Sequence, residues 1–193
     1  MRKNDLGDRK AEIEEIVERV QDGDHEAFAA LYDIFVDHIY RYVYYRVNAG
    51  DVEDLVETVF MKVWENIRKY RLKKKSFSAW IFRITHNLVV DYYRNSKERE
   101  VGELQIDVKA YKREHNPIRV TEDSFDQSIL KDAFSKMKRS YREVLIYKFI
   151  NELPNSEISL IMGKSEGSLR ILQHRALKAL KNVLGEMGVK FDV

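Results

Sequence analysis

Apolar residues recur at helical spacing through most of the chain. Phe28, Leu31, Phe35, Ile39 and Tyr42 step by three or four positions, as do Val52, Leu55, Val59, Val63 and Ile67, and again Phe77, Ile81, Ile84, Leu88 and Tyr92. Each set lines one face of a 3.6-residue repeat, which predicts three amphipathic helices. Asn48-Ala49-Gly50 ends the first, Asp51 is placed to cap the second with Glu53 and Asp54 at the positive end of its dipole, and Ser76 or Ser78 to cap the third. Residues 51–101 contain neither proline nor glycine, which favours long helices over a turn-rich sheet.

The pattern changes in the second half. Phe125 to Lys138 reads as a helix, and Ser140-Tyr-Arg-Glu143 has the form of a capping box opening another that carries Val144, Leu145 and Tyr147. In "LPNSEISLIMGKSEGSLRILQHRALKAL", Pro154 suits the first turn of a short helix, Gly163 a left-handed turn and Ser165 the cap of a long final helix. Leu169, Leu172, Ala176 and Leu180 face inward on that helix, and Ser159 is small where two helices must approach. This is the grammar of a helix-turn-helix. Between the halves, "ELQIDVKA" alternates over Glu103–Ala110, but a lone strand has no partner, so an extended linker is expected. At ~3.3 Å per residue the linker spans up to roughly 90 Å. The expected fold is all-α, two small helical domains joined by an extended linker. The divisions are a tail at 1–16, a first domain at 17–96, a linker at 97–124, a helix-turn-helix domain at 125–186 and a tail at 187–193.

Composition narrows the functions open to such a chain. Of 193 residues, 34 are basic and 32 acidic, a net charge of +2, so any electropositive surface must come from segregation along the chain. There is no cysteine, which excludes disulfides and thiolate metal sites and agrees with a cytoplasmic location. The sequence holds no signal-peptide pattern and no apolar run of membrane-spanning length, so no membrane insertion is expected. The histidines at 25, 38, 86, 115 and 174 are scattered, without a close ligand pair, phosphate loop or nucleophile motif. No catalytic residue, metal or cofactor is expected.

Charge is segregated at two places. "RKYRLKKKSFSAW" at 68–80 packs six cations into eight positions and runs straight into aromatics. Beyond it, Arg83, Asn87, Asp91 and Arg94 form an outward stripe on the third helix. Cations for a phosphate backbone, aromatic faces at Tyr70, Phe77 and Trp80, and an amide able to pair with a base edge are the parts that bind single-stranded DNA. The alternative is that Phe77 and Trp80 are core and the cations a solvated turn. On the final helix, Arg170, Ile171, His174, Lys178 and Lys181, with Arg175 beside them, suit a major groove. Glu166 and Ser168 lie near base edges at its amino end.

"DVEDLVETVFMKVW" at 51–64 resembles the second conserved region of bacterial sigma factors. The resemblance continues through "SFSAWIFRITHNLVVDYYR", similar to that family's promoter-melting helix, and through the helix-turn-helix segment, similar to its fourth region. It covers roughly residues 17–184, without room for the extra regions of housekeeping members, so the chain resembles the extracytoplasmic function (ECF) group. The resemblance implies that Asp51, Asp54, Leu55, Glu57, Phe60 and Trp64 dock on the beta-prime clamp helices of core RNA polymerase. It implies that Lys62, Tyr70, Arg71, Lys73, Lys74, Lys75, Ser76, Phe77, Arg83, Asn87 and Arg94 engage the minus ten element. Ser165, Glu166, Ser168, Arg170, Ile171, His174, Arg175 and Lys178 correspond to the minus thirty-five surface. It also implies an anti-sigma factor as a partner. The sequence departs from the family at Glu57-Thr58, where Gln-Glu is usual, at Ile171-Leu172-Gln173, and in its more basic loop. Two other readings use the same residues: a stand-alone helix-turn-helix regulator acting without polymerase, and a helical adaptor whose aromatics are all core.

Overall fold

A computed structural model describes residues 6–71, 76–100 and 124–189, and among these the regular structure is helical throughout. Helices α1 (Lys10–Gln21), α2 (His25–Tyr44), α3 (Val52–Asn66) and α4 (Phe77–Glu100) form the first module. Helices α5 (Ser124–Ser135), α6 (Arg139–Leu145), α7 (Asn155–Met162) and α8 (Glu166–Glu186) form the second, with a π turn at Ile146–Ile150 extending α6. Most of the expected linker, including the alternating segment 103–110, lies outside the described residues.

Helix α1 corrects the sequence reading. It starts inside the stretch expected to be a tail and buries Ile13, Ile16, Val17 and Val20 against α2, while Leu6 ahead of it is also buried. Each such side chain contributes about 1.5–3 kcal/mol, enough to order a helix whose other positions are mostly charged. Its far end is fastened by Gln21, whose Nε2 donates to the carbonyls of Ile67 (2.7 Å) and Tyr70 (2.8 Å). Asp24 then caps α2, accepting from the Glu26 and Ala27 amides, both at 3.1 Å.

Two expected caps are used differently. Asp51 makes no cap bond; it accepts from Tyr92 Oη at 2.6 Å and so ties the head of α3 to α4. Burial, with that carboxylate's help, pushes the Tyr92 hydroxyl up to about 12. The Ser140–Glu143 box does not form either, because α6 begins at Arg139 and Glu143 turns inward. The others stand: Ser76 Oγ accepts from Ala79 N at 3.1 Å, Gly163 is left-handed at φ 63°, and Ser165 accepts from Ser168 N at 3.3 Å. Pro154 sits one position earlier than expected, as the residue before α7.

The modules are docked rather than set apart by stretched chain. The Tyr147 ring of the π turn stacks on Tyr42 of α2, 5.1 Å between centroids, and Phe82 of α4 meets its edge at 5.8 Å. Phe134 of α5 packs edge-on to Tyr45 at 5.5 Å, and Lys131 Nζ lies 4.3 Å over Tyr44. One hydrophobic cluster therefore runs through both modules.

Candidate nucleic-acid interface

An open cleft lies between α3 and α4. Lys62 and Asn66 reach it from α3, and Lys69 from the short turn that follows; Trp80, Ile84, Asn87, Leu88 and Asp91 line it from α4. Helical spacing explains the grouping, since 62, 66 and 69 share one face and 80, 84, 87 and 91 share the facing one. Trp80 forms the aromatic wall and is held at a tilt by Tyr70 (5.2 Å) and Phe77 (5.3 Å). Phe77 in turn meets Phe35 edge-on at 5.4 Å. Asn66 Nδ2 donates to the Lys62 carbonyl at 2.9 Å, which fixes its amide plane. Among the described residues the side chains of Lys62, Lys69 and Asn87 have no hydrogen-bond or ion-pair partner, so two cations and one amide are free for a ligand.

The structure thus brings Lys62 and Asn87 together and revises their neighbours. Phe77 and Tyr70 are 1% and 7% exposed, so they are core supports for Trp80, not faces for a base. Ser76 is buried as the cap of α4. Arg71, Arg83 and Arg94 are exposed, with Arg94 Nη2 3.2 Å from Asp91. Lys73, Lys74 and Lys75 lie outside the described residues. Asn66 and Lys69 were missed, although their steps of four and three from Lys62 were legible.

The opposite side of α3 is acidic and apolar. Asp54 and Glu57 are exposed, whereas Leu55, two turns before Lys62, is half-buried on the cleft's side of the helix. Trp64 is 43% exposed, resting edge-on to Phe28 at 4.9 Å and near His25 at 5.2 Å. Phe60 is buried and props Tyr32 at 4.6 Å, so Tyr32, with Met61 beside Phe60 in the chain, presents the surface expected of Phe60. Asp51 is engaged by Tyr92 instead of facing outward alone.

In the second module α8 presents Glu166, Arg170, Ile171, His174, Arg175 and Lys178 to solvent, while Leu169 and Ala176 are buried beneath. Gln173 Nε2 donates to Asn155 Oδ1 at 2.9 Å, setting α8 against α7. Ser165 and Ser168 are 2.9 Å apart through their hydroxyls, and both serve the cap. Among the described residues no cluster of His, Asp or Glu is placed to hold a metal, and no helix is long and apolar enough to cross a membrane.

An exposed basic helix on a helix-turn-helix, joined to a helical module with an aromatic and amide-lined cleft, is the architecture of a DNA-binding protein. Sigma-70 region 2 matches residues 31–99, and Sigma-70, region 4 matches residues 127–180. The ECF RNA polymerase sigma factor BldN of Streptomyces coelicolor is 33% identical over 178 residues, covering 90% of this chain and 66% of that one. The ECF RNA polymerase sigma factor SigW of Bacillus subtilis is 29% identical over 185 residues, covering 91% of this chain and 98% of that one. In a solved complex, the sigma factor RpoE with the anti-sigma factor NepR from Bartonella quintana, a chain covered to 96% shares the fold. Its TM-score is 0.61 at 19% identity over 82% of this chain. The chain belongs to the sigma-70 family and is an RNA polymerase sigma factor of the ECF type.

Proposed function

We propose that the chain is a dissociable specificity subunit with no catalysis of its own, working in the cytoplasm on core RNA polymerase and promoter DNA. The exposed face of α3, with Asp54, Glu57, Met61 and Trp64 and with Tyr32 from α2, docks on the clamp helices. Its negative charge suits a basic partner and its aromatics supply the contact area. The α8 surface holds the upstream duplex, Arg170, Arg175 and Lys178 at phosphates and Ile171 and His174 toward base edges.

The observation that carries this reading is the cleft: a half-buried tryptophan, two unpaired lysines and a free amide converge where the family melts its promoter. Extruding a base costs a few kcal/mol, and stacking on an aromatic returns ~1–3 kcal/mol per base. Trp80 supplies the stack, Asn87 the paired donor and acceptor, and Lys62 and Lys69 the phosphate charge. Melting is thereby biased without an energy source. An anti-sigma factor, as in the RpoE complex, is the regulator this reading implies, and the exposed apolar residues of α3 give it a surface to cover.

The test is run-off transcription with purified core polymerase on genomic fragments, followed by permanganate footprinting of a responsive promoter. Asn87→Ala should leave polymerase binding intact and remove the reactive thymines of the open complex. Undiminished reactivity would remove the cleft from melting.

A further inference from the structure

Four residues form the outermost line of α8. Gly167, Ile171, His174 and Lys178 follow one another at steps of four, three and four, on the face opposite the buried Leu169 and Ala176, and all four are exposed. The faces to either side are used otherwise: Leu172 is half-buried, Gln173 is bonded to Asn155 of α7, and Arg170 and Arg175 are exposed cations that flank the line. Ile171 is out of place in this company. It is an apolar side chain, 56% exposed, at the centre of a basic surface.

The first turn of α8 adds an independent observation. Glycine weakens a helix relative to alanine, and nothing in the fold asks for one at 167: its backbone is not left-handed, and a Cβ added there would meet no atom within 4 Å. The glycine therefore leaves a gap one turn before Ile171, on the line that faces away from the protein. A helix gives up a side chain in this way where another molecule has to come close.

Beside the same line lies an open hollow of about 310 Å³, lined by Tyr141 of α6, Lys164 of the turn before α8, and Ser168, Ile171, Leu172 and Arg175 of α8. Among the described residues the side chains of Lys164 and Arg175 have no hydrogen-bond or ion-pair partner. They stand on either side of Ile171 along the helix, seven positions before it and four after. Unpaired cations spaced along a partly apolar wall suit the phosphates of one DNA strand, and such contacts fix how a helix sits in the groove without reading sequence. With the strand held there, Ile171 is carried to the base edges.

We infer that Ile171 is a specificity-determining residue that reads the 5-methyl group of a thymine in the upstream duplex, with Gly167 giving the groove room to close on it and Lys164 and Arg175 setting the register. The inference rests on α8 being the upstream-duplex helix of the proposed function. An isoleucine side chain neither donates nor accepts a hydrogen bond, so it cannot tell bases apart by their polar edges. The apolar group that a base pair displays in the major groove is the thymine methyl. The branched Cβ of Ile171 holds one preferred rotamer in a helix, so little side-chain freedom is lost when the contact forms. Thymine is thus preferred over cytosine at one position, and a cytosine methylated at C5 regains part of the contact.

The test uses holoenzyme assembled from the full chain and core polymerase on a responsive promoter duplex, with each upstream thymine replaced in turn by deoxyuridine. Binding is read as the holoenzyme concentration that half-saturates a gel shift. At one position, loss of the methyl should weaken the parent about fourfold, the effect of one buried methyl group. Ile171→Ala, which keeps its fold because the position is exposed, should bind the thymine and deoxyuridine duplexes equally there. 5-Methylcytosine at that position should bind the parent more tightly than cytosine does, and Ile171→Ala should not distinguish the two. Gly167→Ala should make the chain more resistant to heat yet weaken binding several-fold on every duplex, a pairing of signs that a merely structural glycine would not give. The inference is overturned by an upstream element in which no thymine methyl matters, by Ile171→Ala keeping the parent's thymine preference, or by Gly167→Ala binding as the parent does. A parent holoenzyme that protects no upstream duplex in a footprint would instead count against the proposed function.

Discussion

The first module closes a core of its own, whereas the second completes its core only against the first. Helix α2 buries eight of its 20 residues, but α8 buries only Leu169 and Ala176 among 21, so α8 is held mainly along one narrow edge. Two of the largest buried side chains of the second module, Phe134 and Tyr147, lie directly against Tyr45 and Tyr42 of the first. The difference teaches that a helix which leaves most of its surface to solvent has little apolar area left for its own packing. Such a module can be stable on its neighbour and yet be released to a new partner at low cost.

Three perturbations break or sharpen this contrast. The largest is expected inside the first module. Phe35→Ala, at a fully buried position, should lower stability by about 3–5 kcal/mol in urea unfolding followed by circular dichroism. Ile171→Ala at an exposed position of α8 should change it by no more than about 0.5 kcal/mol.

A smaller loss should follow at the seam between the two modules. Glu143→Ala leaves Arg46 buried without its carboxylate, at a cost of about 3 kcal/mol. The double variant with Arg46→Met should recover much of that loss. A double variant no more stable than Glu143→Ala alone would mean that the pair does not hold the modules together.

The smallest effect is a pH dependence of docking. Burial, chiefly, holds both His38 and His86 below their ordinary value of 6.5. His86 is faced by Glu143 and Arg139 of α6, by Arg46 and Tyr42 from α2, and by Arg83 on its own helix. His38 has Asp37, Arg41, Glu152 and Arg9 around it. A depressed value means that the docked form binds protons more weakly than the open one. Docking is therefore fully supported above the ordinary value and weakens as pH falls through it. Fluorescence transfer between the modules should decline from pH 7.5 to about pH 5.5, with a flat response in His38→Gln, His86→Gln. A wild-type profile equally flat would separate these histidines from the seam.

Much of the fold was legible in the sequence, because apolar spacing alone places α2, α3, α4 and α8. The left-handed turn at Gly163 and the Ser165 cap likewise depend only on local chemistry. Helix α1 was hidden because its buried residues are spaced through a strongly charged stretch whose partner, α2, is a neighbour only in space. Asp51 and Glu143 illustrate the same limit: each stood where a cap was expected, and each is claimed by a residue more than 40 positions away, Tyr92 and Arg46. The cleft was half visible. Lys62 and Asn87 belonged to the pattern, but Trp80 separates from Phe77 as the open aromatic only once both helices are packed.

Distances between spin labels on Glu18→Cys in α1 and Lys178→Cys in α8, both exposed positions, test the central claim most directly. The free chain should give a single short, narrow distribution that moves to a longer one when core polymerase is added. A free chain already at the long distance, or a short distance that persists in the polymerase complex, would contradict it.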